Sequence, residues 1–120
     1  MSDDALALEF AKSWDRMASF FGSGEVWPKR PDVVDFIAAL RQVGYDRKLR
    51  AGQSLDTFVV SRSRRHGLQA EQPIVGFHIY EGKMEVHSRG LHAETFVEST
   101  QPLSGRVRDL LDRLSNEPIT

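Results

Sequence analysis

With 120 residues, 40% apolar and 28% charged, and a formal net charge of −1, the chain has the make-up of one globular domain with its own core, not of a disordered segment. The absence of cysteine excludes disulfide scaffolds, thiolate metal sites and cysteine nucleophiles. No stretch approaches the roughly 20 apolar residues of a membrane span, and Ser2-Asp3-Asp4 lacks the basic start of a signal peptide, so the expectation is a cytoplasmic protein with no membrane role.

Taken in chain order, the first predicted element is a helix over about residues 3–21. Two neighbouring stripes recur at helical spacing: Ala7, Ala11, Trp14, Ala18 and Phe21, and Leu6, Phe10, Met17 and Phe20. Their combined arc is wider than one core-facing stripe, which predicts burial on two sides, the second against the sheet, another helix or a second copy of the chain. Gly22-Ser23-Gly24 ends this helix and opens a connector carrying Val26, Trp27, Pro28 and Pro31. Trp27 is expected to plug the edge of the core or meet a partner.

A second helix is predicted over about residues 32–43, with Val33, Phe36, Ile37 and Leu40 on its buried face and Gly44 in the left-handed position beyond its end. Residues 48–50 are expected to form a short strand and 51–53 a turn. Leu55 to Arg62 is β-rich, and 63–72 is a polar loop. The strongest local signal follows, a hairpin of residues 73–80 and 83–89 around Glu81-Gly82. A two-residue loop sets Ile79 against Met84, Phe77 against Val86 and Val75 against Ser88 on one face. The other face pairs Tyr80 with Lys83, His78 with Glu85, Gly76 with His87 and Ile74 with Arg89. Residues 92–99 make a further strand, and Leu103, Val107, Leu110, Leu111 and Leu114 mark a final amphipathic helix over about 104–115, capped by Ser104. The resulting fold is α+β: two N-terminal helices, an antiparallel sheet of three to five strands and one C-terminal helix, with the helices mainly on one face, as a single domain over 1–120.

The near-neutral net charge conceals a pattern. Residues 1–46 hold five Lys/Arg against eight Asp/Glu, and residues 66–120 again five against eight. Between them, residues 47–65 hold Arg47, Lys48, Arg50, Arg62, Arg64 and Arg65 against the single acid Asp56. If 48–50 pairs with the following strand, all six cations gather at one edge and create a local positive potential. Such a cluster suits an acidic protein partner, since arginine is enriched at interfaces. It also suits nucleic acid, through phosphate contacts and stacking on Tyr45, Phe58 or His66, although the sequence pI of about 6.4 is low for that class.

A second cluster lies on the polar hairpin face. His78 stands across from Glu85 with His87 diagonal to both, and two imidazoles with a carboxylate can ligate zinc or iron, or serve as a base with its orienting acid. His92 is a further candidate ligand. The Gly22-Ser23-Gly24 run has the wrong context for a phosphate loop or nucleophile elbow, because a helix precedes it and a proline-containing connector follows. Asp109 and Asp112, among Arg106, Arg108 and Arg113, are expected to be an exposed ion-pair face.

These patterns point to a small non-enzymatic interaction or regulatory protein with no cofactor, presenting the six cations to an acidic protein partner. Nucleic-acid binding through the same cations is the alternative, followed by a metal site or enzyme centred on His78, Glu85 and His87. Self-association through the first helix is a further expectation.

Overall fold

The computed structural model describes residues 3–25, 28–65, 71–91 and 93–120. Trp27, His66 and His92, all named above, lie outside the described residues. The elements run α1 (Asp3–Gly22), α2 (Pro31–Val43), a 3-10 turn (Tyr45–Arg47), β1 (Arg50–Ser54), β2 (Thr57–Ser61), β3 (Ile74–Tyr80), β4 (Lys83–Arg89), β5 (Glu94–Ser99) and α3 (Gly105–Ser115). This is the α+β arrangement that the sequence predicts. The sheet is an antiparallel meander in the order β1-β2-β3-β4-β5.

The β3–β4 register matches the binary pattern, with Ile79 opposite Met84, Phe77 opposite Val86 and Tyr80 opposite Lys83. The two loop residues, Glu81 and Gly82, have φ of 50° and 77°. Positive φ at both positions is the turn that matches the twist of a two-residue hairpin, and glycine supplies the second at no steric cost.

The β1–β2 connection differs from expectation. The turn falls at Leu55-Asp56, between the paired residues Ser54 and Thr57, and not at 51–53. Gly52 lies within β1, paired with Val59. Leu55 takes φ of 54° in the turn, a left-handed conformation that a leucine rarely adopts. The segment Arg50-Ala51-Gly52-Gln53-Ser54 has little intrinsic β preference; contacts from α1 hold it. The Ser13 hydroxyl donates to the Phe10 carbonyl (2.5 Å) and accepts from the Ala51 N–H (2.9 Å). One residue on, the Trp14 indole N–H donates to the Leu49 carbonyl (2.8 Å). Helix α1 therefore lies along the edge of the sheet beside β1 and satisfies part of its unpaired backbone.

The helices and the inward sheet residues Ala51, Phe58, Val60, Val75, Phe77, Ile79, Met84, Val86 and Phe96 share one core with Trp14, Phe36 and Leu110. Trp14 meets Phe58 edge-on at 5.4 Å, and Phe36 packs on Phe77 at 4.8 Å. The wide apolar arc of α1 is covered from within the chain, by β1, α2 and the 3-10 turn. Leu8, 52% exposed, is the large apolar residue that α1 leaves open to solvent among the described residues.

Gly44 ends α2 at φ 95°, and Ser104 caps α3 by accepting from the Val107 N–H (3.1 Å), both as the sequence predicts. The expected ion-pair face on α3 is not formed among the described residues. Asp112 instead accepts from the Tyr45 hydroxyl (2.8 Å). Arg106 reaches Glu94 (3.0 Å) and stacks over the Phe96 ring at 3.9 Å. No helix among the described residues is long and apolar enough to cross a membrane.

Candidate interaction surface

The six cations of residues 47–65 divide into two groups. Arg47, Lys48, Arg64 and Arg65 are exposed. Arg50 and Arg62 depart from the expectation of a freely presented side chain, because each guanidinium is drawn inward by backbone carbonyls. Arg62 donates from Nε to the Glu117 carbonyl (2.9 Å) and from Nη1 to the Lys48 carbonyl (2.6 Å), and its own carbonyl accepts from the Thr120 N–H (3.0 Å). It thereby fastens the end of β2 to the chain entering β1 and to the C-terminal residues. Burial holds its pKa below the ordinary arginine value.

Arg50, at the start of β1, is 7% exposed. It donates from Nε to the Ser63 carbonyl (2.8 Å) and from Nη2 to the Arg64 carbonyl (2.7 Å). Its guanidinium lies 5.6 Å from the centre of the Phe10 ring. Burial lowers its pKa, the positive charge of Arg16 adds to that shift, and Glu9 opposes it.

Arg50 also lines a cavity of about 400 Å³ between the C-terminal half of α1, strand β1 and the chain after β2. Arg16 and Met17 form one wall, Gly52, Gln53 and Ser54 another, and Val59, Ser61 and Arg65 complete the lining. Ser63 positions Arg65: its hydroxyl donates to the Arg65 carbonyl (2.6 Å) and itself accepts from Gln72 Nε2 (3.3 Å). Among the described residues, the lining holds three arginines and no acid. Among the described residues, no carboxylate lies within 4.0 Å of the guanidinium groups of Arg16, Arg50 or Arg65. By contrast, Arg30 meets Asp32 (3.2 Å) and Arg41 meets Asp15 (2.8 Å). Comparison with protein families, curated proteins and solved structures returned no match to this chain.

Arg16 is the member of this group that sequence reasoning missed. It is an exposed residue of α1 outside both apolar stripes, and its meeting with Arg50 depends on α1 lying along β1. Of the rings expected to assist nucleic-acid stacking, Tyr45 and Phe58 are not surface features, being 2% and 0% exposed.

The hairpin cluster is brought together only in part. Glu85 and His87 pair along β4, with Oε1 to Nε2 at 3.0 Å, and His87 Nδ1 lies 3.4 Å from the Thr95 hydroxyl. His78 stands opposite Glu85 in the register, yet its imidazole approaches Asp56 (3.9 Å) from the β1–β2 turn. Asp56 is in turn 4.0 Å from Arg30, which also donates to the Ile79 carbonyl. Among the described residues, no group of three or more histidines and acids is placed to hold a metal ion. Ser23 sits in a turn closing α1, where its N–H donates to the Ser19 carbonyl (2.9 Å) and its hydroxyl accepts from the Glu25 N–H (3.2 Å).

Proposed function

We propose that this chain is a non-enzymatic interaction protein that engages an acidic protein partner through the arginine-lined cavity and the exposed cations around it. The observation that carries this reading is the meeting of Arg16, Arg50 and Arg65 around one cavity with no carboxylate of the described residues in contact. Like charges gathered without neutralisation cost free energy in the isolated chain, and an acidic ligand relieves that cost. Arg47, Lys48 and Arg64 extend the positive field beyond the cavity and steer an acidic surface toward it.

Two features favour protein over nucleic acid. The net charge of −1 and the sequence pI of about 6.4 are low for the nucleic-acid-binding class, and the nearby rings Tyr45 and Phe58 are buried, which leaves neither of them as a stacking platform for single strands.

The test is fluorescence anisotropy at about 50 mM salt, where phosphate and carboxylate contacts are both strong. A labelled oligoglutamate peptide is compared with oligoglutamine and with single-stranded and duplex DNA of matched charge. Oligoglutamate is expected to bind with salt-sensitive affinity, oligoglutamine not to bind, and the double reversal Arg64→Glu with Arg65→Glu to abolish binding with an unchanged far-UV spectrum. Tighter binding of DNA than of oligoglutamate, or full binding by the reversed variant, rejects the proposal.

A further inference from the structure

We infer that Arg50 is the floor of a carboxylate subsite that receives an aspartate or glutamate side chain from an extended segment of the partner. This rests on the reading above that the partner is an acidic protein, and it names where and how one of its side chains is held.

A buried charge is normally paired with an opposite one, because desolvation costs several kcal/mol that neutral hydrogen bonds only partly return. Arg50 is 7% exposed and still has no carboxylate partner among the described residues. Its Nε and Nη2 are fixed on two carbonyls, which set the plane of the guanidinium in advance. Its remaining nitrogen, Nη1, has no partner among the described residues. Among the described residues, no side-chain nitrogen or oxygen that is cut off from solvent lacks a hydrogen bond, so Nη1 keeps access to solvent, and Arg50 lines the cavity. A pre-oriented donor in a low-dielectric floor, flanked by Arg16 and Arg65, is arranged to meet an oxyanion. Another cavity, about 280 Å³ beside Arg47 and Arg62, has Asp3 in its own wall and carries no such imbalance.

The cavity wall identifies the oxyanion as part of a polypeptide. The Ala51 N–H points away from β2, toward Ser13. Alternation along an antiparallel strand then turns the N–H and C=O of Gln53 to the same open side, and neither has a partner among the described residues. A phosphate diester, or a monoester dianion, has no hydrogen on its phosphate group to offer a main-chain carbonyl, and a compact inorganic phosphate cannot reach Gln53 from Arg50, whereas an extended peptide supplies both a donor and an acceptor along its length. Arg50 and Gln53 are about 10 Å apart along the strand, so one short segment spans both contacts.

The experiment follows the side-chain Nε–Hε signals of ¹⁵N-labelled protein during titration with oligoglutamate, oligoglutamine and inorganic phosphate. Affinities are measured for two double variants of exposed residues, Arg16→Gln with Arg65→Gln in the cavity and Arg47→Gln with Lys48→Gln outside it. The Arg50 signal is expected to shift saturably with oligoglutamate alone. The cavity pair is expected to weaken binding about tenfold or more, and the outer pair about threefold or less. Equal losses in both pairs with an unmoved Arg50 signal overturn the subsite while leaving the acidic-partner reading in place. No binding of oligoglutamate by the wild type overturns both. An equal Arg50 shift with phosphate at matched charge overturns the assignment to a polypeptide.

Discussion

Leu55 occupies the first position of a two-residue hairpin loop at φ 54° and is 75% exposed. A left-handed conformation costs an ordinary L-residue about 1 kcal/mol or somewhat more. Asparagine enters that region readily, so Leu55→Asn recovers most of this cost. The opposing loss is small, because only a quarter of the side chain is covered; at about 2 kcal/mol for complete burial of a leucine, that is about 0.5 kcal/mol. The net expectation is a stabilisation of about 0.5 kcal/mol. For a chain of this length the unfolding entropy is about 0.25 kcal/mol per kelvin, so Tm rises by about 2 °C. Leu55→Gly removes the same strain but enlarges the conformational freedom of the unfolded chain by about 0.5–1 kcal/mol, and its expected change is close to zero. Scanning calorimetry with parallel urea titrations of the three proteins measures both effects. A fall in Tm for the asparagine variant, or a glycine variant more stable than it, refutes the argument that backbone strain dominates at this position.

Two further outcomes follow from buried polar contacts. Ser13→Ala leaves the Ala51 N–H without its acceptor and is expected to cost about 1–3 kcal/mol in urea denaturation; an unchanged midpoint would show that α1 does not hold β1 through this bond. The Tyr45 phenol is pushed up from 10.0 to about 12 by burial and by Asp112. Its raised value means that the unfolded chain ionises first. Stability is therefore complete below pH 10 and declines as pH rises from 10 through about 12. Tyr45→Phe is expected to flatten that decline, and an alkaline limb identical to that of the wild type would remove Tyr45 from the account.

Features whose determinants are local could be read from the chain. The β3–β4 register follows from apolar alternation, since slipping by one residue would send Phe77 and Ile79 to solvent. Ser104 and Gly44 announce helix ends because capping needs only neighbouring backbone. Strand β1 was misplaced for the opposite reason. Gly52 reads as a turn signal, and what keeps it extended is a serine hydroxyl and an indole from a helix some 35 residues earlier. The same distance hides the arginine cavity, whose members Arg16 and Arg50 belong to different predicted elements. The inward turn of Arg50 and Arg62 was equally illegible, because their acceptors are main-chain carbonyls of Ser63, Arg64, Glu117 and Lys48, and such acceptors leave no mark in residue type. On the hairpin face, the alternation placed His78 opposite Glu85, but its imidazole answers to Asp56, which the β1–β2 turn delivers from outside the hairpin.

The sheet has two unlike margins. On one, α1 lies against β1 and leaves the peptide groups of Gln53 open; on the other, β5 has a neighbour on one side only. Fibrous stacking requires each unit to offer two receptive borders. This chain offers one long enough for a whole strand, so any sheet-to-sheet joining of its copies terminates at a pair and cannot run on into a filament.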